Sequence, residues 1–167
     1  MKSALARYLA GFFAAAVCTV LLQNLYAFCP GPVTALFAPV CRSPWELGKL
    51  LYWPMLPGIL TIWSLDRRCS SGSWCVILVA APLTLTLLAL LTQGGRQSAP
   101  AALLWPLVLG AALAVHGLLL RKRQIPGGAL LWYLLAVALG VCYVLGTVMP
   151  LPGVLFQESA AWAPIPF

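Results

Sequence analysis

"ALLWYLLAVALGVCYVLGTV", residues 129–148, carries no charged side chain from end to end. At 1.5 Å per residue a helix of that length reaches about 30 Å, the thickness of a bilayer's hydrocarbon core. Backbone groups in hydrocarbon must pair within the segment, and the run lacks the polar alternation of barrel strands, so it is expected to be helical. Four further apolar runs of similar length lie near residues 8–28, 45–65, 74–91 and 101–120.

Composition agrees with a lipid solvent. The chain is 62% hydrophobic and only 8% charged, with mean hydropathy +0.96. Soluble domains hold about 45–50% apolar and about 25% charged residues. The fold class expected is therefore all-α, an integral membrane bundle of about five transmembrane helices in one domain, 1–167, with an outer tail from 150 to 167. No internal repeat of the kind that marks inverted-repeat transporters is visible.

The net charge of +7 does not suggest nucleic acid, because the cations sit in short groups between apolar runs. Lys2, Arg7, Arg67, Arg68, Arg121, Lys122 and Arg123 fall on one side of the expected membrane, and Arg42, Lys49 and Arg96 on the other. That asymmetry predicts the N-terminus in the cytosol and the C-terminus outside. Tyr8, Trp74, Trp132 and Tyr133 would mark the inner boundary, with Tyr26, Trp45 and Trp105 near the outer one. Arg67, Arg68, Arg121, Lys122 and Arg123 read as anchors for anionic lipid headgroups. The first helix has an apolar core longer than a signal peptide's and a poor cleavage site in "LYAFC", so it reads as an uncleaved anchor.

The one place where charge presses against an apolar run is "CRSPWELGKLLYWPML", residues 41–56. Ser43 can cap a helix, Pro44 suits its first position, and Glu46 completes an S-x-x-E capping box. Lys49 shares a helical face with Glu46 and is expected to snorkel to the interface, with Trp53 stacked beneath its ammonium. On this account Ser43, Trp45, Glu46, Lys49 and Trp53 are a helix start. On the other, ionisable groups at membrane depth serve a ligand or a proton, beside a helix that Pro54 and Pro57 kink or interrupt.

This motif resembles one found in an uncharacterised family of small bacterial multi-pass membrane proteins, written L-F-x-P-V-N-E-S-x-W-E-H-x-K-L-L-x-W-P-M-L. Pro39, Val40, Ser43, Trp45, Glu46, Lys49, Trp53 and Pro54 match it. "LLQNLYAF" is similar to a second segment of that family through Tyr26, and "PLPGVLFQES" to a third through Leu155, Phe156 and Glu158. Cys41, Arg42, Leu47, Gln23 and Ala27 depart from it, replacing most of its acids and histidines. The resemblance implies a bacterial cytoplasmic (inner) membrane protein with this topology and carries no activity with it.

Catalytic chemistry finds little material. The chain has one histidine, His116, and three acids, Glu46, Asp66 and Glu158. The sequence places no acid to orient the imidazole, which is expected to reach headgroups or a backbone carbonyl. Glycine-rich phosphate loops, zinc-spaced ligand sets and paired carboxylates are missing, so no cofactor and no metal are expected. Cys29 and Cys41 share the first outer loop and suggest a disulfide in an oxidising compartment. Cys69 and Cys75 flank an inner loop and should stay reduced.

Small residues at helical spacing are the expected contact points: Gly11, Ala15 and Cys18; Gly110, Ala114 and Gly117; Ala136 and Gly140. The same stripes could join a second copy or another membrane protein. Function is expected to be that of a non-enzymatic accessory or scaffold protein. The alternative is a small transporter or channel-like protein using Glu46 and Lys49, with a membrane enzyme acting on a lipid-linked substrate third.

Overall fold

A computed structural model describes residues 4–41, 43–65, 71–93, 101–122, 128–149, 153 and 155–156. The described residues are all-α, with no strand. The helices are α1 (Ala4–Phe28), α2 (Pro32–Phe37), α3 (Pro44–Leu65), α4 (Ser71–Gln93), α5 (Ala101–Lys122) and α6 (Ala129–Val148). Ala4–Phe28, Gly72–Thr92 and Ala129–Val148 are long and apolar enough to cross a membrane. The other long helices, α3 and α5, have 22 residues each.

α4 is central and packs on α3, α5 and α6, whereas α1 lies mainly against α3. Leu51, Met55, Ile77, Leu85, Leu109 and Tyr143 form the buried core among these helices. The outer surface is the reverse of a soluble protein's: on α6 alone Leu130, Leu134, Val137, Val141, Leu145 and Val148 are exposed. Each such side chain would forgo about 1.5–3 kcal/mol of burial in water, and in lipid that penalty disappears.

The helices touch where small residues permit it. A Cβ on Gly58 of α3 would lie 2.9 Å from the Gly11 carbonyl oxygen of α1 and 3.2 Å from the Ala15 methyl. Gly140 and the buried Ala136 of α6 accommodate Tyr52, whose hydroxyl donates to the Ala136 carbonyl at 2.9 Å. The α5 stripe does not behave this way. Gly110 and Ala114 face outward, and nothing lies within 4 Å of a Cβ on Gly110. The α5 face turned inward is instead Val108, Leu109, Ala112 and His116, whose larger side chains fill the space beside α4.

Of the kink or interruption expected at Pro54 and Pro57, the interruption does not occur: α3 continues through both prolines. Proline at 54 removes the N–H that would have bonded the Leu50 carbonyl. That orphaned carbonyl accepts from the Trp105 indole of α5 at 3.4 Å. A neighbouring helix thus supplies the missing donor, which is how membrane helices tolerate proline.

The connection from α1 to α3 also differs from the plain loop expected. Residues 32–37 form α2, with Pro32 at its start and the Thr34 hydroxyl donating to the Gly31 carbonyl at 2.9 Å. A proline at the first helical position followed by an apolar run was the available signal.

Candidate functional site

Two polar clusters occupy opposite ends of the bundle. The first grows from the start of α3. Ser43 caps the helix, its hydroxyl accepting from the Glu46 N–H at 3.3 Å. The return half of the capping box goes elsewhere: Glu46 Oε2 accepts from the Val40 N–H at 3.2 Å rather than from Ser43 itself. The Trp45 N–H, another orphan of the first turn, donates to the Leu155 carbonyl at 3.2 Å. Phe156 packs on the Trp45 ring at 5.4 Å, so the part of the tail that is described closes over the helix start.

Lys49 does not snorkel. Its side chain is fully buried, and Nζ meets three oxygens: Glu46 Oε2 at 2.6 Å, the Ala35 carbonyl at 2.8 Å and Thr147 Oγ1 at 3.1 Å. An ammonium has three N–H donors, and here α2, α3 and α6 each supply one acceptor. Isolated burial of an ion costs several kcal/mol, so the charge is tolerable only because it is paired and fully bonded. Trp53 is not beneath the ammonium; its ring lies edge-on to Phe37 at 5.0 Å and to Tyr52 at 5.1 Å. Trp45 reaches Tyr143 at 4.7 Å, and the missing side chain of Gly146 gives its indole room.

The second cluster was not legible as one in the sequence. His116 of α5 is fully buried instead of reaching headgroups. Its Nδ1 lies 2.8 Å from the Tyr8 hydroxyl of α1 and its Nε2 3.3 Å from Ser73 Oγ of α4. The Trp74 ring stacks on the imidazole, with centroids 3.5 Å apart. Tyr8 and Trp74, expected as boundary aromatics, spend their polar and π faces on a histidine. A serine beside an imidazole is the beginning of a nucleophile–base pair. Ser73 is 2% exposed, and the contacts of His116 with Tyr8 and Ser73 join α5 to α1 and α4.

The remaining expected site residues separate as follows. Cys29 and Cys41 are both free thiols, so the expected disulfide is not formed. The segment between them forms α2 and gives the Val40 N–H to the Glu46 carboxylate. Arg42, Arg67, Arg68, Arg123, Asp66, Cys69 and Glu158 lie outside the described residues, as do the side chains of Arg121 and Lys122. Among the described residues no group of three or more His, Cys, Asp or Glu is placed to hold a metal. A cavity between α1, α3, α4 and α5, lined by Gly11, Gly58, Trp74 and Leu113, holds about 10 Å³, close to one water molecule.

These features define a class: an all-helical bundle with helices of membrane-spanning length, an apolar exterior and a buried ion pair at one end. No family model matches the sequence, and comparison with curated proteins and with solved structures returns no match.

Proposed function

We propose that this is a bacterial inner-membrane protein with five membrane spans, α1, α3, α4, α5 and α6, its N-terminus in the cytosol and its C-terminus outside. We further propose that it acts as a non-enzymatic accessory or scaffold protein, with membrane lipids as its surroundings and a second copy or another membrane protein as its partner. The observation that carries the reading is the saturation of Lys49: all three donors of its ammonium are used by the protein's own oxygens. A charge so bonded has no donor left for a substrate. The unbroken α3 likewise offers no half-helix ends, which is where interrupted transporter helices hold their ions. The motif resemblance fits the same proposal, because its matching residues Ser43, Trp45, Glu46 and Lys49 are those that assemble this end of the bundle.

The test pairs stability with function. Glu46→Leu/Lys49→Met, an apolar replacement of the ion pair, should insert, fold and complement a deletion phenotype. Loss of complementation by a variant that folds normally would favour the transporter reading and sink this one.

A further inference from the structure

The connection between α1 and α3 combines two features that do not belong together in water. From Tyr8 to Cys41 the chain carries no charged side chain at all. Within that stretch Phe28 is 81% exposed and Val33 67%, and Phe37 and Val40 also stand open. They continue the apolar exterior of α1, where Val20 and Leu21 are exposed in the same way.

Part of the backbone of this connection is bonded within the protein. The N–H groups of Cys29, Ala35, Ala38 and Val40 donate to Leu25, Gly31, Thr34 and the Glu46 carboxylate. The Thr34 hydroxyl serves the carbonyls of Cys29 and Gly31, and Lys49 Nζ takes the Ala35 carbonyl from the opposite side. Each group bonded internally in this way costs less to withdraw from water.

From these observations we propose that α2 and its flanks form an interfacial segment embedded in the adjacent leaflet. Phe28, Val33, Phe37 and Val40 would contact the boundary between lipid headgroups and acyl chains. Lys49 fixes the depth. It lies in the second turn of α3, about 7 Å below the helix start, and holds α2 through Ala35. Amphipathic segments at membrane surfaces sit about 5–10 Å into that boundary. The partner is the lipid itself, and the buried lysine becomes the pin that keeps an uncharged cap against the bundle.

The inference rests on the membrane reading above, so the experiment separates the two. The full chain is reconstituted into phosphatidylcholine–phosphatidylglycerol vesicles with a spin label at Val33→Cys or, as reference, at Val137→Cys on exposed α6. All native cysteines are replaced. Collisions with oxygen should dominate over those with a water-soluble nickel chelate at both positions. Chelate access at 33 with lipid-like behaviour at 137 overturns the interfacial cap alone. Shielding of 33 from both reagents also overturns it, since that reports a protein partner. Chelate access at both positions overturns the membrane reading itself. Should the cysteine-free chain fail to fold, the native chain serves: Cys29, exposed beside Phe28, should react with a sulfonated maleimide more slowly in vesicles than in denaturing detergent, as expected for a group withdrawn into the interface. Equal rates overturn the proposal.

Discussion

Lys49 donates a 3.1 Å hydrogen bond to Thr147, joining the second turn of α3 to the last turn of α6 across 98 residues of chain. The same ammonium pairs with Glu46, so one buried cation couples the helix start, the α1–α3 connection and the last long helix.

Breaking that pair on one side should be costly. Lys49→Met leaves the Glu46 carboxylate buried without its cation, and such losses run to about 3–5 kcal/mol. Thermal unfolding in detergent should show a large fall in midpoint. Glu46→Leu/Lys49→Met should recover part of it, because no uncompensated charge remains although the Val40 N–H and the Ala35 carbonyl lose their partners. A double variant as unstable as the single one would contradict this account.

The α1–α3 crossing depends on backbone approach. Gly58→Ala places a methyl against the Gly11 carbonyl, an atom that cannot move aside. Overpacking of this kind costs about 1–3 kcal/mol. Gly110→Ala, with open space around it, should stay within about 0.5 kcal/mol of the native protein. Comparison of the two midpoints checks the contrast.

At the opposite end, Tyr8→Phe removes the hydroxyl that faces Nδ1 of a fully buried imidazole. Leaving that nitrogen unpaired should cost about 1–3 kcal/mol. A fall in the thermal midpoint of Tyr8→Phe relative to the native protein is the measurable outcome; an unchanged midpoint would remove the Tyr8–His116 contact from its assigned role.

Trp105 and Pro54 should be energetically coupled. Trp105→Phe strips the donor from the Leu50 carbonyl, a loss of about 1 kcal/mol. With Pro54→Ala already present, residue 54 regains an N–H for the same carbonyl, and the Trp105 change should lose its hydrogen-bond component. A double-mutant cycle measures the difference; strict additivity would remove the indole from its assigned role.

Cys29 and Cys41 should each alkylate without prior reduction. Mass spectrometry of the purified chain should give the same adducts at both positions with and without reductant.

Much of the scaffold could be read before any fold was known. Five long apolar runs mark the five long helices, and the helix start at Ser43-Pro44 falls where capping chemistry puts it. These are local properties: hydropathy, helix length and caps depend on neighbours within a few residues. The destinations of Lys49 and His116 are not local. Lysine at helical spacing from glutamate near an interface has a cheap solution in snorkelling, and nothing nearby in sequence announces that Ala35 and Thr147 will enclose it. His116 found its partners 108 and 43 residues away, on two other helices.

The sequence alone therefore determined the apolar helices of membrane-spanning length, because its long runs carry so few charges, and with them the helical class. Tertiary packing decided which polar groups meet. Pairing between distant segments is set by helix order and close approach at Gly11, Gly58 and Gly140, and these become visible only when the bundle is assembled.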